Sequence, residues 1–266
     1  MPSGTAYRTA FNRLTHMAVA AHPDDAEIMA FDGIAKHGTS FAAVIVTDGA
    51  GAVWGGKNAG CSGRDIKGIR RREQKTAAAV GGYGALVLLD YTSAQVKDPT
   101  DRNLGADLDK LLAVCAPRVV YTHNPADKHD THVAVAVKTL EALRRLPRER
   151  HPQKLYGCEV WRGLDWLCDA DKAAMDVTGC DELSAKLLGV YESQTAGGKR
   201  YDLAVEGRRR ANAVFFDGHS ADTAEKLIFA LDMTPLLSGG DIVDFTLGYI
   251  ERFKRDVAER LKRYIK

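Results

Sequence analysis

The chain has 266 residues, 45% of them hydrophobic, which is enough to build one sizeable α/β core. Its formal net charge of +2 argues against a dedicated nucleic-acid binder, which would carry a strongly basic face. The five cysteines include no C-x-x-C pair, which argues against a disulfide framework and against a cysteine-based zinc site. No segment approaches the roughly 20 apolar residues of a membrane span, and no signal-peptide pattern opens the chain, so we expect a cytoplasmic protein without a membrane span.

Strand-like and helix-like patterns alternate along the first 145 residues. Short apolar runs predict buried strands, and amphipathic segments that end near glycine or proline predict helices. Residues 48–67 are rich in glycine and lack periodicity, so they predict a loop. The predicted strands are 17–21, 41–47, 85–89 and 119–122, and the predicted helices are 26–37, 69–80, 104–115 and 131–145.

The rest of the chain is less regular and predicts a strand at 155–161 and helices near 181–191, 199–213 and 241–264. Near-continuous apolar strands between amphipathic helices are typical of a parallel sheet that is covered on both faces. We therefore predict an α/β fold, Rossmann-like and doubly wound, with a mostly parallel sheet and helices on both faces. We expect a single domain over residues 1–266, with its core at 14–165 and with 166–266 completing the domain and the substrate pocket.

Two polar clusters follow predicted strands. His22-Pro23-Asp24-Asp25 comes directly after the first strand, and a second cluster at 122–132 follows the fourth. In open α/β sheets, ligands bind at the carboxyl ends of the strands. Within the second cluster, His129 and His132 are spaced i and i+3 at the start of a predicted helix, on adjoining parts of one face. Two imidazoles and one carboxylate, with a further position open to water, are typical of a catalytic metal site, and a spare carboxylate can act as general base.

These residues also have structural interpretations that do not involve a metal. Alone, a His-Pro-Asp turn is more often a structural cap than a ligand set, and an isolated H-x-x-H is equally unspecific. His123 could contact a ligand, cap the backbone or replace a ligand. Trp161 could pack in the core or stand at the rim of a site, and His219 could line a pocket or lie in a surface turn.

The motifs taken in order resemble those of the LmbE-like (PIG-L) N-deacetylases. The similarity is strong over residues 16–140, whereas the C-terminal third departs from the pattern. This resemblance implies a metal-dependent hydrolase that removes an N-acetyl group from an N-acetylglucosamine-type substrate. The alternatives are a hydrolase of another amide, such as a sugar–thiol conjugate, and a non-catalytic sugar-binding module of the same fold. The motifs are Ala21-His22-Pro23-Asp24-Asp25-Ala26-Glu27, Thr47-Asp48-Gly49, Asp127-x-His129-x-x-His132 and, more faintly, Tyr191-Glu192-Ser193-Gln194.

The resemblance also implies roles for single residues. It implies that His22, Asp25 and His132 bind one Zn²⁺ per chain, although Fe²⁺ or Co²⁺ would suit the same ligands. Asp24 would be the general base that takes a proton from the attacking water. His129 would polarise the acyl carbonyl or protonate the leaving amine.

Further positions would support the metal and the substrate. Asp127 would orient His129 through a hydrogen bond. One of Arg70, Arg71 and Arg72 would contact substrate hydroxyls, and Trp54 in the glycine-rich segment would stack on the sugar. The expected partner is thus a small amino-sugar molecule rather than a nucleic acid, and a homo-oligomer remains an open alternative.

Overall fold

The structure is a computed structural model that describes residues 11–51, 60–196 and 198–265. Within this part of the chain, the strands are β1 (His16–Ala20), β2 (Phe41–Thr47), β3 (Ala85–Tyr91), β4 (Val119–His123), β5 (Lys154–Cys158), β6 (Lys172–Asp176) and β7 (Leu227–Asp232). The α-helices are α1 (Asp25–Met29), α2 (Phe31–His37), α3 (Gly63–Val80), α4 (Ser93–Lys97), α5 (Asn103–Cys115), α6 (Asp130–Arg145), α7 (Asp181–Gly189), α8 (Glu192–Thr195), α9 (Tyr201–Phe216) and α10 (Ile242–Lys262).

The strands form one sheet in the order β3-β2-β1-β4-β5-β7-β6. Strands β1 to β5 pair in parallel, whereas β7 runs antiparallel to both of its neighbours. The predicted α/β, doubly wound and mostly parallel fold is confirmed. The strand order reverses at β1, where His16 pairs with Phe41 on one side and Val119 on the other. Ligand sites in such sheets lie beyond the carboxyl ends of the strands at this switch point.

Alternate residues of the central strands build two cores, one on each face of the sheet. Met17 and Val19 belong to the core that helices α5 and α6 cover. Ala18 and Ala20 belong to the opposite core, which includes Phe31 of α2 and residues of α3 and α7. Because the strands are buried on both sides, their sequences are apolar without alternation.

The structure differs from the prediction in several places. The predicted helix 26–37 is two helices that meet at Ala30, whose φ of −114° and ψ of 23° are not helical. The predicted loop 48–67 is too long, because a capping box between Ser62 and Asp65 starts α3 at residue 63. Residues 52–59 of that loop lie outside the described residues. Strands β6 and β7 were not predicted, since short apolar runs do not distinguish a strand from a buried helix segment.

None of the described helices has both the length and the apolar composition needed to cross a bilayer.

Candidate metal centre and active site

Three predicted metal ligands converge beyond the ends of β1 and β4. His22 Nδ1 lies 3.1 Å from His132 Nε2. Asp25 Oδ2 lies 3.2 Å from the His22 nitrogen and 3.3 Å from the His132 nitrogen. Ligand atoms that surround a tetrahedral ion at about 2.0–2.1 Å are themselves about 3.3 Å apart. The three atoms therefore have the spacing that a divalent cation requires.

Charge at this cluster also favours a cation. Burial lowers the pKa of His132, but the carboxylates of Asp25 and Asp127 outweigh that effect and raise it to about 10. Burial raises the pKa of Asp25, but His132 and His22 hold it well below its usual range. Two carboxylates thus stabilise positive charge between the imidazoles, and a metal ion can supply that charge in place of a proton.

Asp127 fixes the orientation of His132. His132 Nδ1 lies 3.0 Å from Asp127 Oδ2, and an ionised carboxylate can only accept, so this nitrogen carries the proton. The Nε2 lone pair then faces the other ligands, as a metal-binding histidine requires. The second oxygen of Asp127 accepts the backbone N–H of His129 at 2.8 Å. Asp127 therefore contacts the ring of His132 and only the backbone of His129, whereas the resemblance implied that it would orient His129.

The neighbouring acid, Asp24, faces another way. Its φ is +88°, in the left-handed region, and this turn separates its carboxylate from that of Asp25. Asp24 Oδ2 accepts from Arg70 Nη2 at 2.9 Å. Burial raises the pKa of Asp24 to about 7, against the opposing effect of the Arg70 charge. Asp24 is therefore a carboxylate that can hold a proton near neutral pH.

His129 lies beside the cluster and has a ring nitrogen without a hydrogen-bond partner among the described residues. Ring nitrogens of His22, His129 and His132 lie within 4.8 Å of one another. Among the described residues, none hydrogen-bonds the buried Nδ1 of His129. Burial and the nearby His132 and His22 lower the pKa of His129, so its neutral form is favoured.

His123 is a backbone cap in this structure. It is fully buried, and its Nε2 accepts the N–H of Ala21 at 2.9 Å, just past the end of β1. Asp25, His123 and His132 also form a group of suitable metal-binding atoms. However, the hydrogen bond from Ala21 occupies the lone pair that His123 would need for a metal, so we favour the cluster with His22.

A cavity of about 580 Å³ opens over these residues. Arg70 lines it, whereas Arg71 is exposed and pairs with Asp90 at 2.5 Å, and Arg72 is also exposed. Trp161 lines the cavity too, so of its two predicted locations, the core and the rim of a site, it occupies the rim. Trp54 lies outside the described residues, and His219 lies in an exposed turn.

Several cavity residues were not predicted from the sequence. Most of them lie on elements far apart in the chain and in no recognisable motif, so no local pattern indicates them. Gln194 could have been found, since it belongs to the faint Ser-Gln motif. The other residues in this group are Lys97, Lys199, Tyr201 and Arg208.

A buried hydrogen-bond network supports the turn with the two acids. Gln74 Nε2 donates to Glu27 Oε1 at 2.8 Å, and Tyr83 OH donates to the same oxygen at 2.6 Å. Gln74 Oε1 accepts from Tyr191 OH at 2.9 Å. These hydrogen bonds connect α1 to α3, to the segment before β3 and to the segment before α8.

The family described as "PIG-L: GlcNAc-PI de-N-acetylase" matches residues 17–143. No curated protein matches the chain in sequence. The chain is similar to GalB, the 4-carboxy-2-hydroxymuconate hydratase from Pseudomonas putida KT2440, at 18% identity and a TM-score of 0.65, covering 83% of this chain and 96% of that one. It is similar to the N,N'-diacetylchitobiose deacetylase from Pyrococcus horikoshii at 19% identity and a TM-score of 0.64, covering 90% and 97%.

A third similar structure is the A40926 pseudoaglycone deacetylase Dbv21, at 19% identity and a TM-score of 0.58, covering 83% of this chain and 97% of that one. At these identities the solved structures show a shared fold. The family match is more specific, because its segment contains both polar clusters, from His22 to His132. Residues 17–143, just under half of this chain, therefore match the PIG-L (LmbE-like) family.

Proposed function

We propose that this protein is a metal-dependent N-deacetylase acting on an N-acetylglucosamine-type substrate. The observation that carries the proposal is the convergence of His22, Asp25 and His132, with 3.1–3.3 Å between ligand atoms, inside the family-matched segment. Two imidazoles and one carboxylate suit Zn²⁺, and they also suit Fe²⁺ or Co²⁺. A metal held there supplies the charge that polarises an acyl oxygen and lowers the pKa of a water molecule.

The residues around the ligands carry out proton transfer and stabilise the charge on the acyl oxygen. Asp24 accepts the proton of the attacking water, and Arg70 holds its carboxylate in place at 2.9 Å. His129, in its neutral form, donates an N–H to the acyl oxygen as negative charge develops there. The proton collected by Asp24 then passes to the leaving nitrogen. Water and the amide thereby yield acetate and a free amine.

The cavity supports a sugar-sized substrate. Its volume of about 580 Å³ falls in the usual range for small-molecule sites. The rings of Trp161 and Tyr201 meet edge to face with 5.9 Å between their centroids, and both line the wall, where either ring could pack against a sugar. Asp24 and the three ligands line the same cavity, so a bound acyl group would reach them.

The test is an amine-release assay on a panel of N-acetylglucosamine conjugates, with Zn²⁺, Fe²⁺ or Co²⁺ returned to chelator-treated protein. We expect Asp24→Asn to keep about one metal per chain and to lose turnover by roughly 10²–10⁴-fold. Asparagine is preferred to alanine because it tolerates a positive φ. Asp25→Asn and His132→Ala should lose the metal itself.

Three outcomes would contradict the proposal. Near-full activity of Asp24→Asn would show that Asp24 is not the base. Sugar binding without amine release would favour a binding module. Water addition to an unsaturated carboxylic acid, with no amine release, would favour a hydratase, since one similar structure carries that activity.

We also propose that the protein works in the cytoplasm. All five cysteines are free thiols, which suits a reducing compartment. Fractionation of cells that produce the protein tests this location.

A further inference from the structure

Helix α10 and the turn after it carry an apolar stripe, most of which is exposed. The stripe consists of Val243, Leu247, Ile250, Val257, Leu261 and Tyr264, with Lys254 in its middle. Their spacing alternates between four and three residues, which places them on one face of the helix. Leu247 and Leu261 are 51% and 57% exposed, and Tyr264 is 84% exposed.

The stripe is distinct from the face that holds α10 on the domain. Ile242, Phe245 and Tyr249 pack against the core that α5 and α6 cover, and Thr246 is the one buried residue of the helix. Arg252 pairs with Asp171 at 3.1 Å. The first turns thus attach the helix, and the stripe lies on an adjoining, more exposed side of it.

Charge is distributed unevenly along the same helix. Residues 241–252 contain three acids and one base, whereas residues 253–266 contain six bases and two acids. A parallel pair of such helices would place the two basic halves side by side. An antiparallel pair would place the acidic half of each helix against the basic half of the other, and the two helix dipoles would also oppose each other favourably.

We propose that α10 docks on α10 of a second copy of this chain, antiparallel and across a two-fold axis. A four-three spacing of apolar residues over about three heptads is the pattern with which paired helices interlock. A two-fold axis brings the same surface of both copies together and closes the assembly as a dimer. In this arrangement the two Lys254 side chains approach each other near the two-fold axis, which lowers the stability of the pair, but their long stems let both ammonium groups reach solvent.

A membrane surface is a less favourable occupant. Basic amphipathic helices can lie on anionic lipids, and the second half of α10 has that composition. However, Asp244 and Glu251 border the stripe in the first half, where anionic lipids would repel them. The charge of the whole helix therefore complements another α10 better than it complements a bilayer.

The first experiment is sedimentation equilibrium of the full chain over a range of concentrations. We expect a mass near twice the 29.0 kDa of the chain. Leu247→Glu with Leu261→Glu should raise the dimer dissociation constant by roughly 100-fold or more. The matched control is Val80→Glu, on α3 at the opposite face of the sheet and 38% exposed, which should leave the mass unchanged. Unchanged circular dichroism and a cooperative thermal unfolding transition will show that each variant is folded.

The second experiment tests the orientation of the helices. Arg260→Gln, Lys262→Gln and Arg263→Gln in one chain should weaken an antiparallel dimer roughly tenfold. In a parallel dimer the same change would relieve repulsion and strengthen it. A wild-type monomer at every concentration would overturn the proposal, whether or not it cosediments with phosphatidylglycerol vesicles. A dimer insensitive to the leucine changes, or strengthened by the glutamines, would overturn it as well.

Discussion

Gln74 Oε1 accepts the backbone N–H of Asp24 at 3.2 Å, which joins helix α3 to the left-handed residue between the metal ligands. The same amide contacts Tyr191 and Glu27, so one side chain holds three elements around the turn. Each of these contacts is buried, where a lost hydrogen bond leaves an unsatisfied partner.

We expect Gln74→Leu to lower both stability and turnover. The substitution removes the partners of the Asp24 N–H and the Tyr191 hydroxyl and should cost about 2–4 kcal/mol in free energy of unfolding. Urea denaturation measures that loss, and steady-state kinetics on the folded fraction should show a lower kcat with little change in KM. Gln153→Leu, at an exposed position, is the control. Equal kcat values for both variants would show that Gln74 does not position Asp24.

Asp127→Asn should weaken metal binding while leaving the ligands themselves intact. Loss of the carboxylate that holds His132 Nδ1 should lower metal affinity by about 10–100-fold. Competition with a chromogenic chelator measures the affinity. Asp130→Asn, at the exposed first turn of α6, should bind metal as the wild type does. An unchanged affinity in Asp127→Asn would argue against a metal ion at His132.

Arg209, on helix α9, should stabilise the short helix α1. It is buried and donates to Ser184 Oγ at 2.7 Å and to the carbonyls of Glu27 and Ile28 at 3.0 and 3.2 Å. Burial lowers its pKa to about 10, and its guanidinium stacks over Phe31 at 4.2 Å. Arg209→Met should lower the free energy of unfolding by about 1–3 kcal/mol, because the carbonyls lose their donor.

The adjacent residue provides the control for that change. Arg210 is largely exposed and pairs with Glu206 and Asp181, so Arg210→Met should cost at most about 1 kcal/mol. Thermal or urea unfolding of the two variants side by side makes the comparison. Equal losses would show that the buried contacts of Arg209 add nothing.

Stability should fall in mild acid because of a histidine pair at the start of β1. His16 stacks on His37 with 3.6 Å between ring centroids. Burial, and then the His37 charge, lower the pKa of His16 from 6.5 to about 4. Between these values the unfolded chain binds the proton and the folded chain does not, so the free energy of unfolding decreases as the pH falls.

His16→Phe keeps an aromatic ring in the stack and removes this titration. Urea denaturation across that pH window should therefore give a shallower decline for His16→Phe than for the wild type. His219→Phe, in an exposed turn, should decline as the wild type does. A parallel decline of all three proteins would contradict the assignment to His16.

Substrates with an anionic group should bind more tightly than neutral ones. Lys97 and Lys199 line the cavity, and neither has an acidic partner among the described residues. Lys97→Ala with Lys199→Ala should raise KM for carboxylate- or phosphate-bearing acetylated amino sugars by about tenfold and leave KM for neutral ones unchanged. Lys75→Ala, an exposed lysine on α3, is the control. Equal effects on both substrate types would contradict the prediction.

The central strands and most helices could be predicted because each is encoded locally. Phe41–Thr47 is a continuous apolar run, and the structure gives that strand the same bounds. The two polar clusters could be predicted because each directly follows such a strand. The confirmed fold then explains why they meet, since β1 and β4 are neighbours at the switch point.

The supporting residues could not be predicted, because their roles depend on contacts between distant segments. Arg209 reaches the carbonyl of Glu27 across 182 residues, and Gln74 reaches the side chain of Glu27 across 47. In the sequence, Arg209 belongs to a run of three arginines that resembles a solvated helix face. Only the fold shows which arginine of the run is buried.

The antiparallel strand β7 connects the C-terminal third of this chain to the central sheet. It pairs with β5 on one side and β6 on the other, so the C-terminal third supplies two strands of the sheet that contains the family-matched segment. Arg209, from the same third, also holds α1. A chimera that replaced this third to change specificity would therefore leave an unpaired sheet edge and loosen a ligand-bearing helix. We expect new specificities in such a chain to arise by substitution of single cavity residues rather than by exchange of whole segments.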